Sequence, residues 1–485
     1  MTAAGPRPAT GRDSAAGASA PAPKGRLLTP LLLGIASGSI LVPLNSTMLA
    51  VALPGVMNEF GLGAATVATL VSLYLGAVAI ALPVGGTLGD RFGHRRTFLV
   101  GVIGFGLASL LAVVAGSFVV LQLARVLQAA SGALVSTSAA VLVRESAPPE
   151  RRGETFGLLD LLTSTSAAIG PFVGGVLVDA FGWRSMFLLA VPMAIVAAGL
   201  VGLVMSPAPE AHTTTASRPR RSVDVAGLTL LGLAIAAFLV ALRGPGIEPI
   251  WAISVSALGP LIVGFLLVEL RTAQPAVDPR LFRVPAFAAA TASIFGATVI
   301  LHGSFVLVPL LVEQVLRESP ATSGIVLLGI AGVAAIVSPF GGRMSDRSGR
   351  RWPVVLGSII SAVGLVGLWL PAGTSSAVLV AALLGVVGFG NGLTSPRQVA
   401  ALEAVERART GMAAGTYYTG RYLGGVVGAS LAGGILGTTV TADGVSGAFG
   451  ILAITGVLVA LVSLGLPGRG SGRRVVPELE AAIEA

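Results

Sequence analysis

Seven polar or charged residues interrupt otherwise apolar stretches: Asn45, Arg125, Asp160, His302, Glu313, Asn391 and Arg421. An ionisable side chain inside such a stretch costs about 3 kcal/mol unless paired or hydrated, so it marks a solute or ion path by default. Spacing groups some of them. Asp160, Thr163 and Ser164 share one helical face, which leads toward Gly170-Pro171. His302, Phe305, Pro309 and Glu313 recur at i, i+3, i+7 and i+11. Tyr417 and Tyr418 stand one turn before Arg421, where two rings either wall a cation-tolerant surface or simply pack. Plainer readings stand beside the functional ones. Asp160 also fits an end-of-span charge, His302 a neutral core histidine, and Glu313 a side chain reaching the interface. The residue types suit binding and proton exchange, not bond making. The sequence has no GxxxxGK[ST] loop, no HExxH and no GxSxG elbow. Cysteine is absent, and His94, His212 and His302 are far apart. Neither an enzyme nor a metal or cofactor site is expected.

These residues must be positioned by helices in a bilayer. Of 485 residues, 54% are hydrophobic and 11% charged, against about 25% charged in soluble domains. Mean hydropathy is +0.89. A helical span takes roughly 20 residues, so fourteen need about 280. Apolar runs read as spans near 30–54, 64–88, 97–115, 118–142, 156–179, 184–205, 224–243, 250–270, 286–312, 321–342, 353–371, 377–396, 411–437 and 446–466. The net charge of +9 reflects basic residues scattered between these runs, not a nucleic-acid stripe.

Basic residues set the topology. With the N-terminus cytoplasmic, 26 of the 31 fall in cytoplasmic segments, and only Arg184, Arg243 and Arg317 fall outside. That bias expects both termini inside a plasma membrane. The expected plan is a disordered tail (1–29), a six-helix bundle (30–205), a cytoplasmic linker (206–222), two inserted spans (223–271), a second linker (272–285), a second six-helix bundle (286–467) and a tail (468–485).

An internal repeat supports two related halves. GTLGDRFGHR at 86–95 matches GRMSDRSGRR at 342–351, an offset of 256 residues, eight spans apart. In the first copy Gly86, Asp90, Arg91, Gly93 and Arg95 make a tight charged turn. Gly342, Asp346, Arg347, Gly349 and Arg350 repeat it. Glycines permit the turn, and the aspartates can accept bonds from Arg or a helix N-terminus. The pair reads as a cytoplasmic latch, or as solvated charged turns that only set topology. In the fifth span, Gly170-Pro171-x-x-Gly174-Gly175 allows close helix approach and a bend, either a hinge between the halves or tight packing.

On these motifs the chain resembles the major facilitator superfamily. Leu121-x-x-x-Arg125-x-x-Gln128 and Phe181-Gly182-Trp183-Arg184 add to the likeness, as do Asp278-x-Arg280-Leu281-Phe282 and Arg421-x-Leu423-Gly424-Gly425. Specifically it resembles the fourteen-span drug:proton antiporter branch, over about 30–466. The resemblance implies an all-α membrane fold of two pseudo-symmetric six-helix bundles plus two inserted helices. It implies proton-coupled export of small amphipathic molecules, with a small-molecule cargo, protons and lipid as partners and no obligate protein partner. A specific polar-metabolite symporter or uniporter is the alternative. One departure bears on coupling. The branch usually carries an Asp in an L-D-x-T first-span pattern. Here it reads Leu44-Asn45-Ser46-Thr47, and an amide cannot carry the proton.

Overall fold

A computed structural model describes residues 30–146, 152–204, 224–241, 249–272, 275–406, 409–436 and 440–469. The tails and the 206–222 linker lie outside them. The described residues form α1 (Pro30–Phe60), α2 (Ala64–Phe92), α3 (His94–Val113), α4 (Phe118–Ser146), α5 (Arg152–Phe181) and α6 (Ser185–Val204). Then come α7 (Val225–Ala241), α8 (Ile250–Arg271), α9 (Pro285–Pro309), α10 (Pro320–Ser348) and α11 (Arg351–Trp369). The chain continues through α12 (Ala377–Leu393), α13 (Arg397–Glu403), α14 (Thr410–Leu436) and α15 (Ala442–Ser463).

Helix is dictated by solvent: in hydrocarbon every backbone amide must find its partner within the segment. Twelve helical stretches, one of them running through α12 and α13, are long and apolar enough to cross a bilayer; α7, shorter, and α14 occupy the two remaining predicted spans. Prolines such as Pro54, Pro83 and Pro171 sit inside helices that neighbouring helices support. Burial differs greatly between spans of similar composition. The bundle helix α9 is mostly covered, whereas α8 turns nearly all of its apolar surface outward, as a lipid-facing helix does.

Packing shows two halves of one design. In the first, α1 packs on α5 and α6, α2 on α4, and α3 on α4 and α6. In the second, α9 packs on α14 and α15, α10 on α12, and α11 on α12 and α15. Each pairing has its counterpart eight spans on. The halves meet reciprocally, α2 against α14 and α5 against α10. The inserted helices α7 and α8 pack on each other, and α7 touches α2.

The repeated glycine turn does the same job twice. Gly93 and Gly349 have φ of 88° and 80°, a region that favours glycine, and each closes a helix by donating its N–H to the carbonyl four residues back. Three features were not legible in the spans. A π-helical stretch, Leu310–Val315, continues α9. A 3-10 turn, Pro279–Arg283, lies in the second linker, capped by Asp278 Oδ1 accepting from the Arg280 N–H at 3.0 Å. Arg397, counted with a loop, is buried: it opens α13 and donates to the carbonyls of Thr394 and Ser293 at 3.0 and 2.9 Å.

Candidate functional site

Small residues build the junction between the halves. Gly170 abuts Thr47 and Gly174 abuts the Met48 backbone, which brings α5 against α1. Gly175 faces Pro320 and Ala321 of α10, and Gly324 of α10 faces Pro171 and Phe172. A Cβ at Gly175 would lie 2.6 Å from the Pro320 carbonyl oxygen, so a side chain there would part the halves. On the reciprocal face the Ser72 and Ser430 hydroxyls bond at 2.7 Å, and Gly433 lies on Ala68. These crossings close the end of the molecule that carries Glu59 and Pro320. Within the second half, Gly424 and Gly428 of α14 lie on the carbonyls of Phe295 and Val299.

At the opposite end the halves part around a cavity of about 720 Å³. Pro83, Gly86, Thr87 and Asp90 of α2 and Thr137 of α4 line one wall; Gly415, Tyr418, Thr419 and Tyr422 of α14 line the other. Asp224 and the 275–276 turn complete the rim. The lining mixes aromatic, aliphatic and hydroxyl groups, as an amphipathic guest requires. A smaller, shallower cavity of about 380 Å³ at the closed end is lined by Pro54, Asn58, Glu313, Gln314, Arg317, Glu318 and Val440.

A buried polar network sits inside the first half. Arg125 is fully buried, and its Nη1 donates to Asn45 Oδ1 and Gln128 Oε1, both at 2.8 Å. Gln128 in turn donates to the Ser109 hydroxyl at 2.8 Å. The Tyr74 ring lies 4.1 Å and the Phe187 ring 5.9 Å from the guanidinium carbon. Arg125 Nε and Nη2 and the Tyr74 hydroxyl have no hydrogen-bond partner among the described residues. The cation is therefore held by amides and ring faces, with Asn45 at the place where the resembled pattern has an acid. Sequence reasoning named Asn45, Arg125 and Gln128 but missed Tyr74, which has no flanking motif.

The remaining candidates separate. His302 lies half-buried under Gly425, bonded through Nδ1 to the Thr298 carbonyl at 3.1 Å, with Phe305 edge-on at 6.0 Å. Glu313 belongs to the π-helical stretch, whose wider turn shifts it off the face that an uninterrupted 3.6-residue period gives; it lines the small cavity. Tyr418 lines the large cavity and its hydroxyl accepts from Gln398 at 2.9 Å, while Tyr417 is buried against Leu281 and Phe287. Arg421 is exposed and Asn391 half-buried. Asp160 falls within α5, but its side chain lies outside the described residues.

Both charged turns stand at the open end. Asp90 is largely exposed and pairs with His94 Nε2 of its own turn at 3.3 Å. Arg91 stacks on Phe92, and Arg95 donates to the Gly202 carbonyl at 2.9 Å. In the second copy Asp346 and Arg347 are exposed, Gly342 has open space beside it, and Arg350 pairs with Glu403. At the closed end, Arg184 grips Glu59 with both nitrogens at 2.5 and 2.7 Å, Trp183 donates to the same carboxylate, and Arg184 also reaches the Val113 and Ala115 carbonyls. Among the described residues no cluster of three or more metal-ligating side chains occurs.

Comparison with known proteins agrees with this architecture. The chain is 31% identical over 425 residues to the tetracenomycin C resistance and export protein of Streptomyces glaucescens, covering 85% of this chain and 76% of that one. It is 30% identical over 423 residues to multidrug resistance protein Stp of Mycobacterium tuberculosis (strain ATCC 25618 / H37Rv), with coverages of 86% and 77%. Among solved structures, the D-xylose-proton symporter superposes with a TM-score of 0.64 at 15% identity, covering 90% of this chain and 98% of that one. Peptide transporter POT in complex with sulfate gives 0.66 at 16% identity, covering 92% and 94%. These two share the fold. The Major Facilitator Superfamily model matches residues 35–333 and 286–482, and the chain belongs to that superfamily of membrane transporters.

Proposed function

We propose that this transporter is a secondary active exporter of small amphipathic compounds (a drug, an antibiotic or a secondary metabolite) that works by alternating access and proton antiport. The observation that carries the reading is the large cavity between the halves, open at the Asp90 end and stopped by the glycine crossings at the other. Its aromatic and hydroxyl lining fits cargo with an apolar body and a few polar groups. Antibiotic and multidrug resistance relatives point to the same cargo class and to outward transport. The basic-residue bias supports cytoplasmic termini in a plasma membrane, so the open end faces the cytoplasm. The glycine junctions and charged turns then act as the outer seal and inner latch.

Everted membrane vesicles test this. Vesicles containing the protein, energised by a proton gradient, should accumulate compounds from a panel of lipophilic cations and aromatic antibiotics. Dissipating the gradient should abolish accumulation. Accumulation of a polar solute in intact cells instead, with none in everted vesicles, would overturn export.

A second reading has its own observation. Asn45 and Arg125 are joined by a neutral–cation hydrogen bond where an acid would couple to protons. That favours a uniporter or an uptake symporter for a polar metabolite. Flux without any proton movement in proteoliposomes would move this reading ahead.

A further inference from the structure

The first span lacks an acid, yet two carboxyls meet at the rim of the large cavity. Asp224 stands just before α7 and Glu269 in the last turn of α8. Because the two helices form an antiparallel pair, both residues fall at the open end. Glu269 is fully buried, and Asp224 is half-buried and lines the cavity. Asp224 Oδ1 accepts from the Gly227 N–H at 2.8 Å, and Glu269 Oε1 accepts from the Val277 N–H at 3.4 Å. The other two oxygens, Asp224 Oδ2 and Glu269 Oε2, have no hydrogen-bond donor among the described residues. The two carboxyls meet beside Gly227. Gly227 makes their approach possible: a Cβ there would lie 2.6 Å from Asp224 Oδ2 and 2.7 Å from Glu269 Oε1.

Two neighbouring carboxyls that each bury an oxygen without a donor are unfavourable unless a proton satisfies them. Two ionised carboxylates brought this close by Gly227 repel, and one proton shared between them relieves that repulsion. We infer that Asp224 and Glu269 form a proton-binding pair on the cavity wall, the site from which the transported proton leaves on the open side. This rests on the reading of the chain as a proton-coupled transporter, and it places the coupling acid in the inserted helices. The step is a simple exchange. The shared proton passes from the carboxyl pair to water in the cavity, leaving both carboxyls ionised, and a proton taken up restores the singly protonated pair. No bond to carbon forms or breaks.

Among the described residues, the charged and titratable groups on the surrounding elements are these. Arg271, at the end of α8, is exposed. On the turn that follows, Arg280 donates to the Leu270 carbonyl at 2.6 Å, and Asp278 caps its own 3-10 turn. Across the cavity stand Asp90 of α2 and Tyr418 and Tyr422 of α14.

Infrared difference spectroscopy of the purified full-length protein, titrated across neutral pH, reads the pair without any cargo. The wild type should show a protonated-carboxyl carbonyl band that disappears as pH rises, shifted in deuterated water. Glu269→Gln and Asp224→Asn should each lose that band, and Glu269→Asp should keep it. All variants must elute as monodisperse protein on size exclusion; Glu269→Asp secures the test should an amide variant fail to fold. A band unchanged in the amide variants, or absent from the wild type, overturns the pair. In proteoliposomes, ethidium efflux should move protons in the wild type, and Glu269→Gln should retain ethidium exchange but lose proton movement. Proton movement undiminished in Glu269→Gln overturns its coupling role. If the wild type moves no ethidium and no other compound of the vesicle panel, the exporter reading fails, while the infrared result still decides the pair.

Discussion

Replacing Asn45 by Leu tests how the buried Arg125 is held. Leu keeps the branching of Asn at Cγ and is the larger side chain, so the change removes polarity without opening a cavity. Arg125 Nη1 has two side-chain acceptors, Asn45 Oδ1 and Gln128 Oε1, at equal distances of 2.8 Å. A hydrogen bond to a charged group contributes about 1.5–3 kcal/mol, and loss of one leaves the cation with Gln128 and the ring faces of Tyr74 and Phe187. The Asn45 amide also donates to the Met186 carbonyl, but at 3.4 Å that bond is long and adds little. The expected loss is therefore about 2 kcal/mol, or about thirtyfold in the folding equilibrium constant. Asn45→Asp works in the opposite sense. It sets a carboxylate beside the unopposed guanidinium at the loss of the weak Met186 bond only, and should match or exceed wild-type stability at neutral pH. Unfolding in mixed micelles by increasing fractions of SDS, followed by tryptophan fluorescence, measures both. An Asn45→Leu protein within about 0.5 kcal/mol of wild type, below any charged hydrogen bond, would refute the claim that Asn45 holds the arginine.

Other consequences are equally open to measurement. Gly324→Leu places a side chain against Pro171 and Phe172, so it should part the α5–α10 crossing, abolish transport and raise maleimide labelling of a Cys introduced at Gln314; unchanged labelling would contradict the seal. Arg184→Lys removes a two-pronged, half-exposed pair with Glu59 and two carbonyl contacts, and should cost about 1 kcal/mol, less at high salt, in the same SDS assay; no loss at low salt would count against the clamp. Asp90→Asn should slow vesicle transport at equal protein abundance and Asp346→Asn less so, and wild-type rates in both would remove the latch. In intact cells an impermeant maleimide should label a Cys at Asn58 and spare one at Arg347, since the two exposed positions lie at opposite ends; the reverse pattern would invert the topology.

Much of the architecture was readable because a bilayer makes crude demands. A run of twenty apolar residues has one stable form there, so the spans could be placed without any helical periodicity in polarity. The Asp90 and Asp346 turns were readable as a repeat because glycine is needed at Gly93 and Gly349 to reach a positive φ. Asn45 and Arg125 stood out by polarity and Gln128 through the motif it shares with Arg125, and the structure joins them. What stayed hidden depends on rotation and on contacts between distant spans. Neighbours on a helix point about 100° apart, so Tyr418 reaches the cavity while Tyr417 packs inside. The π-helical turn that carries Glu313 has no residue signature in its sequence, Leu310–Val315. Asp224 and Glu269 each look like an ordinary end-of-span charge. The signal that finds them is geometric: an acid before one span and an acid ending the next must share a membrane face.

The crossings that stop the cavity have a further consequence for kinetics. Gly175 on Pro320, Gly324 on Pro171, Gly433 on Ala68 and the Ser72–Ser430 hydroxyl bond are all short-range contacts, whereas the ion pairs Arg184–Glu59 and Arg350–Glu403 each tie one half to itself. A gap of about 1 Å already forfeits roughly half of the dispersion between close-packed backbones. A barrier made this way is brittle: it is whole or gone, with no graded yielding and nothing for dissolved ions to screen. Opening at the Glu59 end should then appear as abrupt jumps in single-molecule distance records, at rates that ionic strength leaves alone.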